Sequence, residues 1–252
     1  ALMRPLRGPV AEVRLLPPAL GAWREGNLLP GVWRLDSGVP GPHVMISALI
    51  HGNEYAGAVV LHRWLEAGLR PRRGCLTLVF ANLDAFDRFD PADPTLSRYV
   101  DQDMNRLWDR GWLDGPHSSA ELRRARALRP LLEGVDVLLD LHSMLWPSDP
   151  VLLIGRAGKN RALARALGVP AVAVADDGHP DGRRLVYART NRSGTDLVTA
   201  DRAGGRARRL TRSPRIADCS RLRGFPSASR PARPSASSSP TSPSRATPSR
   251  PG

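Results

Sequence analysis

Residues 43–67 pass abruptly from an apolar run to a helical pattern. The run over 44–50 is uncharged and includes β-branched residues, which is typical of a strand buried on both faces. His51 ends this run, and Asn53 is expected to cap a helix that carries Glu54 in its first turn. Because ligands of open α/β sheets bind beyond the carboxyl ends of the strands, the pattern predicts a site that contains His51 and Glu54.

Strand and helix patterns continue to alternate along the chain. Strands are expected at 32–35, 76–80, 135–141, 151–154 and 171–174, and helices at 55–67, 119–133 and 160–167. Ser118 or Ser119 is expected to cap the second helix, with Glu121 placed for a capping box to Ser118. The strand–helix–strand spacing predicts βαβ units with parallel strands. We therefore expect an α/β fold of three layers, in which helices flank a mixed, mainly parallel sheet.

A second buried strand also ends in a histidine. Residues 135–141 are apolar apart from two aspartates, and His142 follows them directly. Asp140 projects to the same side of the strand as His142 and could orient its imidazole. A catalytic zinc ion takes three protein ligands, often two His and one Glu, and keeps one position for water. His51, Glu54 and His142 can supply that set, although each histidine alone fits a packed or hydrogen-bonded role as well.

A third polar motif lies between these two strands. In residues 98–106, Arg98, Asn105 and Arg106 could converge on an anion. A guanidinium binds a carboxylate through two parallel hydrogen bonds, and an asparagine adds a neutral donor. The alternative is that these arginines form surface ion pairs with the aspartates of the same segment.

The positive charge is concentrated at the end of the chain. Residues 1–186 carry 23 Lys+Arg against 21 Asp+Glu (+2) and residues 187–252 carry 14 against 3 (+11), which together give the net +13. The second range also holds 12 Ser and 8 Pro, so it cannot bury enough apolar surface to offset the entropy of ordering. We expect an α/β domain over 1–186 and a disordered tail over 187–252. Nucleic-acid binding through this tail is one alternative function, but the tail has few aromatic residues for base stacking.

The remaining composition excludes several classes of protein. Cys75 and Cys219 make neither a disulfide framework nor a cysteine-type zinc site. No apolar segment approaches the roughly 18 residues that span a bilayer, and the first residues lack the apolar core of a signal peptide. We therefore expect a cytoplasmic protein without a membrane partner. The sequence does not indicate an oligomeric state.

Taken together and in this order, the three motifs resemble the succinylglutamate desuccinylase/aspartoacylase family, a branch of the zinc carboxypeptidase-like fold. The resemblance covers residues 40–186. It implies that the His-Gly-Asn-Glu motif supplies His51 and Glu54 as zinc ligands, and that the Asp-Leu-His motif supplies His142 as the third. One zinc ion per chain is the implied cofactor.

The resemblance also implies a reaction and a substrate class. Asn105 and Arg106 would bind the substrate carboxylate, and Arg98 would stabilise the oxyanion. The implied reaction is hydrolysis of an amide or ester bond in a carboxylate-bearing N-acyl amino acid, by a metal-activated water. The implied partner is therefore a small-molecule carboxylate.

One part of the family pattern is missing. The family uses a further Glu as general base, on a strand that follows the region of residues 178–184, but this chain has no Glu after Glu133. The acids beyond Asp181 are Asp196, Asp201 and Asp218. We hypothesise that the chain leaves the family reading frame near Val186, so that the expected strand and a small C-terminal β-domain are absent. A catalytically inactive protein that binds zinc and carboxylates is then the alternative to an active hydrolase.

Overall fold

A computed structural model of the chain describes residue 13, residues 15–144, 149–155, 158–176 and 181–188, and the backbone of 193–200. The strands are β1 (Val32–Asp36), β2 (His43–Ala48), β3 (Cys75–Phe80), β4 (Val137–Met144), β5 (Val151–Gly155), β6 (Val172–Asp176) and β7 (Ser193–Ala200). The α-helices are α1 (Ala56–Glu66), α2 (Leu83–Phe86), α3 (Arg110–Leu113), α4 (Ala120–Leu128) and α5 (Gly158–Leu167). Five 3₁₀ turns lie at Gly21–Arg24, Leu96–Arg98, Met104–Arg106, Arg129–Leu132 and Leu185–Tyr187. None of the helices in these ranges is long and apolar enough to cross a membrane.

The seven described strands form one sheet in the order β1-β3-β2-β4-β7-β5-β6. The pairs β2–β3, β2–β4, β4–β7 and β5–β6 are parallel, whereas β1–β3 and β5–β7 are antiparallel. The predicted mixed, mainly parallel α/β sheet is confirmed. Because β2 and β4 are parallel neighbours, their carboxyl ends lie side by side at one edge of the sheet.

Apolar side chains cover both faces of this sheet. In β2, Met45 belongs to the buried cluster that includes Leu122 and Ala125 of α4, while Ile46 faces the opposite cluster with Leu61 of α1. This alternation follows from the two-residue period of a strand. The expected three layers are therefore present, with α1 and α4 on opposite sides of the sheet.

The sheet extends further along the chain than the sequence analysis expects. Strand β7 lies inside the range 187–252, and it pairs with β4 on one side and β5 on the other. Composition misses it because Arg, Ser and Pro dominate that range as a whole, whereas residues 193–200 contain neither Arg nor Pro. Pairing on two sides satisfies backbone groups that a composition argument does not count. The rest of the expected tail, residues 201–252, lies outside the described residues.

Of the two predicted helix caps, the one at α1 is wrong and the one at α4 is confirmed. Helix α1 begins at Ala56, its cap position is Tyr55, and the buried Oδ1 atom of Asn53 has no hydrogen-bond partner. The prediction that Asn53 caps this helix is wrong, because the chain turns through residues 49–55 before the helix begins. At α4, the Oγ of Ser119 accepts a hydrogen bond from the N–H of Leu122 (3.0 Å), so Ser119 is the cap.

Arg124 joins α4 to the end of β3. Its guanidinium donates to the carbonyl oxygens of Ala81 (2.7 Å), Phe80 (3.0 Å) and Pro30 (2.7 Å). Burial lowers the pKa of Arg124, but the three carbonyls satisfy most of its donors. This contact holds α4 against the strand that precedes the loops of the candidate site.

Candidate metal centre

The three predicted metal ligands lie together at the carboxyl edge of the sheet. His51 follows the end of β2, Glu54 lies three residues further, and His142 is in the neighbouring strand β4. All three are buried, and one ligand-type atom from each lies within 4.8 Å of the others. Parallel pairing of β2 with β4 explains why residues 88 positions apart meet.

His51 presents its Nδ1 atom to this group. Its Nε2 atom is 3.0 Å from Oδ1 of Asp103. In the tautomer that carries its proton on Nε2, His51 donates to Asp103 and keeps a lone pair on Nδ1. Nδ1 lies 2.8 Å from Oε1 of Glu54, yet it is buried without an aligned hydrogen bond. An imidazole nitrogen and a carboxylate oxygen are both ligand types that bind a zinc ion.

His142 also contacts an outer carboxylate through its Nε2, and its Nδ1 is hydrogen-bonded to Glu54. Its Nε2 donates to Oδ2 of the fully buried Asp140 (2.9 Å), as the sequence predicts. The other oxygen of Asp140 accepts a hydrogen bond from the Oγ of Ser47 (2.6 Å). A carboxylate that is itself held in this way fixes the tautomer and the orientation of the imidazole. His142 Nδ1 is thereby directed to Oε2 of Glu54, at 2.8 Å.

The charges in this group call for a cation. Burial raises the pKa of Glu54, but the charge that His51 carries when protonated and the hydrogen bond from His142 outweigh it, so this pKa lies well below its usual range. Burial lowers the pKa of His142, but the charge of Asp140 and the bond to Glu54 outweigh it and raise this pKa well above its usual value. With Nε2 bonded to Asp140, positive charge must lie between Nδ1 and Glu54, either as a proton or as a metal ion. Two imidazole nitrogens and one carboxylate, each oriented by an outer partner, fit a zinc ion.

Arg98 lies at the rim of the ligand group. Its Nη1 donates to Oε1 of Glu54 (2.7 Å), and its Nη2 is 3.1 Å from Nε2 of His51. The side chain is 39% exposed, so it is open to solvent on one side. A contact with Asp103 is longer, at 3.8 Å. The structure therefore places Arg98 at the candidate site, with its shorter ion pair to Glu54 and only the longer one to an aspartate of its own segment.

Asn105 and Arg106 adjoin the same group through Asp103. The Oδ1 of the buried Asn105 accepts from the N–H of Leu185 (3.0 Å), which leaves its amide nitrogen as the donor available to a ligand. Arg106 Nη1 donates to the Asn105 carbonyl (2.9 Å), and its Nη2 is 3.8 Å from Asp103. Since Asp103 bonds to His51, all six residues singled out in the sequence belong to one connected region.

Comparison with known proteins identifies the family. A family model described as the succinylglutamate desuccinylase/aspartoacylase catalytic domain matches residues 40–204. The chain belongs to the succinylglutamate desuccinylase/aspartoacylase family. The family match runs past Val186, where the sequence analysis expects it to end, and it includes strand β7. No curated protein sequence matches the chain.

Solved structures share the fold of this family member. The succinylglutamate desuccinylase of Chromobacterium violaceum is 24% identical, with a TM-score of 0.54 over 71% of this chain and 60% of its own. An aspartoacylase family protein of Mesorhizobium loti is 24% identical, with a TM-score of 0.53 over 67% of this chain and 55% of its own. Murine aminoacylase 3 is 24% identical, with a TM-score of 0.50 over 73% of this chain and 61% of its own. The chain thus spans less than two thirds of each of these structures.

The sequence analysis missed Asp103 as a site residue. Its Oδ1 accepts from the backbone N–H of Asn105 (2.8 Å) as well as facing His51. Burial raises the pKa of Asp103, but the hydrogen bond and charge of His51 outweigh this effect and hold the pKa well below its usual range. The local signal is an aspartate two residues before an asparagine, which is a common start of a short turn. The pairing with His51 is not visible locally, because 52 residues separate the two.

Glu121 is the second residue whose role the sequence did not reveal. The expected capping box with Ser118 is wrong, because the fully buried Glu121 carboxylate turns to the loop that follows Arg98. Its oxygens accept from the N–H groups of Val100 (2.6 Å), Asp101 (3.1 Å) and Gln102 (3.3 Å). Asn82 donates a fourth hydrogen bond (3.1 Å). Glu121 therefore holds the segment between Arg98 and Asp103 in place.

Gly52 allows the close approach of this segment, and a side chain there should disrupt the site. A Cβ atom would lie 2.4 Å from the carbonyl oxygen of Ser97 and 2.4 Å from the backbone of Ala85. The Gly52 N–H also donates to the Arg98 carbonyl (3.1 Å). We expect Gly52→Ala to lower the free energy of unfolding by about 2–3 kcal/mol, because backbone atoms must move apart.

Urea denaturation of the zinc-free chain would measure the effect of this substitution. Gly158→Ala is the matched control, since a Cβ at Gly158 meets nothing within 4 Å. Equal stabilities of the two variants would contradict the tight packing described for Gly52.

Proposed function

We propose that this chain is a zinc-dependent hydrolase that cleaves an amide or ester bond in a carboxylate-bearing N-acyl amino acid. The observation that carries this proposal is the buried group of His51, Glu54 and His142 with the guanidinium of Arg98 against it. A metal site beside a positively charged donor suits reactions in which negative charge develops on a carbonyl oxygen.

The family membership supports the same reaction class. The similar structures are named as a succinylglutamate desuccinylase, an aspartoacylase family protein and an aminoacylase. Each name describes removal of an acyl group from an amino acid or a place in that family. At 24% identity these structures show the fold alone, so the activity of this chain is our inference from the site.

We assign the metal to His51, Glu54 and His142. When bound, zinc would supply Lewis-acid polarisation of the scissile carbonyl and a water of lowered pKa. Asp103 and Asp140 contact the Nε2 atoms of the two histidines, so that both Nδ1 atoms are directed toward the Glu54 carboxylate. These outer contacts are worth roughly 10–100-fold in metal affinity in other zinc sites.

We assign substrate binding to the neighbouring motif. Arg106 would pair with the substrate carboxylate, and the Nδ2 of Asn105 would donate to it, because Oδ1 is already bonded to Leu185. This contact would place the scissile bond near Arg98, whose charge would stabilise the developing oxyanion. Holding both ends of the reacting group in one geometry lowers the entropic part of the barrier.

A second candidate function is zinc and carboxylate binding without turnover. The chain has no Glu after Glu133, and within the described ranges the carboxylates of the site are all hydrogen-bonded to other side chains. Strand β7 runs parallel to β4 and ends at Ala200 beside Met144. The chain thus returns to the edge of the site just before Asp201, which lies outside the described residues. Turnover decides between these two functions.

The test is release of free amino acid from N-acetylaspartate and N-succinylglutamate by the zinc-loaded chain. We expect turnover that falls by about 10²–10³-fold in Arg98→Ala, the usual effect of removing one oxyanion donor. Arg88→Ala is the matched control, because Arg88 is exposed and is none of the residues assigned to the site. Binding of these compounds to zinc-loaded protein without turnover would support the second function. If the zinc-loaded chain neither bound nor cleaved these compounds, both candidate functions would be contradicted.

A further inference from the structure

Residues 182–185 lie beside the proposed substrate-binding motif, although the strand before them, β6, is the terminal strand of the described sheet. The N–H of Trp108 donates to the carbonyl oxygen of Arg183 (3.2 Å). A Cβ atom at Gly182 would lie 2.3 Å from the carbonyl oxygen of Arg106. The backbone of this segment is therefore packed closely against the backbone of the motif.

The N–H of Leu185 takes its partner from that motif. Leu185 opens a short 3₁₀ turn, so no residue of the turn can accept a hydrogen bond from its N–H. The residue is buried, where an N–H without a partner is unfavourable. The partner is the Oδ1 atom of Asn105, at 3.0 Å and 80 positions away in the sequence. A main-chain donor thus holds a side chain of the motif.

This hydrogen bond fixes which end of the Asn105 amide is presented to a ligand. Only the oxygen of a side-chain amide can accept from an N–H, and a rotated amide would set its –NH₂ group against the Leu185 donor. The main chain of Asn105 is also held, because its N–H donates to Asp103 (2.8 Å) and its carbonyl accepts from Arg106 (2.9 Å). Within the described part of the chain, Nδ2 of Asn105 makes no hydrogen bond and is not among the fully buried atoms without a partner. The –NH₂ group is therefore the end that a ligand can reach.

We propose that the backbone N–H of Leu185 is a positioning group that makes the substrate site selective for a carboxylate over a carboxamide. This role rests on the proposed assignment of substrate binding to Asn105 and Arg106. With the amide held, both residues present donors, which suit the two acceptor oxygens of a carboxylate. A carboxamide has one oxygen, so its own –NH₂ group would face one of these donors. An amide released from Leu185 could rotate and accept from that group.

Leu185→Pro removes this N–H from the backbone. Proline suits the position, because it is favoured at the first residue of a helical turn and the preceding Arg184 is extended (φ −76°, ψ 158°). Leu185→Ala is the matched control, since it loses the leucine side chain but keeps the N–H. The zinc content of each variant shows whether the metal centre is intact.

The selectivity is measured by calorimetric titration of the zinc-loaded chain with N-methanesulfonylglycine and with N-methanesulfonylglycinamide. These ligands differ only in a carboxylate against a carboxamide, and a sulfonyl group replaces the acyl group that could be cleaved. We expect the wild type and Leu185→Ala to prefer the carboxylate to the same extent, within twofold. The preference should fall about tenfold in Leu185→Pro, the usual size of one charge-assisted hydrogen bond. In an Asn105→Ala background, Leu185→Pro should change the preference no further, whereas general damage to the site would.

Hydrogen exchange tests the contact without the proline variant. In Asn105→Ala the Leu185 amide should exchange at least about tenfold faster than in the wild type, because its only acceptor is lost. The Trp108 amide, which is bonded to Arg183, is the internal control and should exchange at the wild-type rate.

Equal preferences in Leu185→Pro and Leu185→Ala would overturn the proposal. So would an unchanged exchange rate of the Leu185 amide, or no saturable binding of N-methanesulfonylglycine to the wild type. If N-acetylaspartate were hydrolysed but the preferences were equal, the hydrolase would stand and this role of Leu185 would fall. A preference that fell only in Leu185→Pro, in a chain without turnover, would support this role and contradict the hydrolase.

Discussion

His142→Ala is expected to abolish stoichiometric zinc binding. The substitution removes one of three ligands and also leaves the buried Asp140 carboxylate without its imidazole partner. Loss of an outer partner alone costs roughly 10–100-fold in affinity in known zinc sites, so loss of a ligand should cost more. Metal analysis after dialysis against zinc should find about one zinc ion per wild-type chain and almost none in the variant.

The matched control for this result is His62→Ala. His62 lies on α1, its Nδ1 pairs with Glu66 at 3.4 Å, and it does not belong to the group of His51, Glu54 and His142. The control should keep its zinc. If His142→Ala retained one zinc ion per chain with wild-type affinity, the metal would be bound elsewhere and the assignment of the ligands would be wrong.

Glu121→Gln is expected to have the largest effect on stability. Both carboxylate oxygens accept hydrogen bonds, and all four donors to them are N–H groups. A glutamine would turn an –NH₂ group toward some of these donors and leave buried N–H groups unsatisfied. At 1–3 kcal/mol for each unsatisfied group, we expect a loss of about 3 kcal/mol in the free energy of unfolding.

Urea denaturation would measure this loss, if the m-value is the same for the variant and the wild-type chain. Glu66→Gln serves as control, because that carboxylate is exposed and its contact with His62 is a surface pair; such pairs contribute about 0–1 kcal/mol. A Glu121→Gln chain as stable as the control would show that the buried carboxylate does not hold the loop after Arg98.

The grouping of His51, Glu54 and His142 could be predicted from the sequence because strand order brings these residues together. His51 and His142 each come directly after an apolar run. Parallel strands place the ends of such runs at one edge of the sheet. That rule depends on topology and not on side-chain packing, so it could be applied before any contact was known. The same reasoning located Asp140, two residues from His142 on one face of β4.

The residues that the sequence did not predict act over long separations or inside loops. Asp103 could act locally in a turn, and Glu121 could act locally at a helix start. Only the folded chain shows which partners the two carboxylates have. Asn53 was expected to cap a helix because the pattern does not show that the chain turns before Ala56. Leu49 has a φ of +64°, an uncommon conformation for a leucine, and local propensity does not predict such a turn.

Strand β7 shows the limit of composition as a guide. The range that contains it is rich in Arg, Ser and Pro, yet eight of its residues fill the gap between β4 and β5. A short segment is stabilised there by hydrogen bonds to two neighbours, which average composition does not register. The division into a domain over 1–186 and a tail over 187–252 stays a prediction, although residues 193–200 of that range pair with the sheet.

Anomalous diffraction at the zinc edge, from crystals of the zinc-loaded chain, tests the central claim most directly. The account predicts one strong peak at the carboxyl edge of β2 and β4. It should lie about 2.0–2.1 Å from Nδ1 of both His51 and His142, and about 2.0–2.2 Å from an oxygen of Glu54. A zinc peak bound by other residues, or zinc-loaded crystals without a peak at this position, would contradict the assignment of the metal centre.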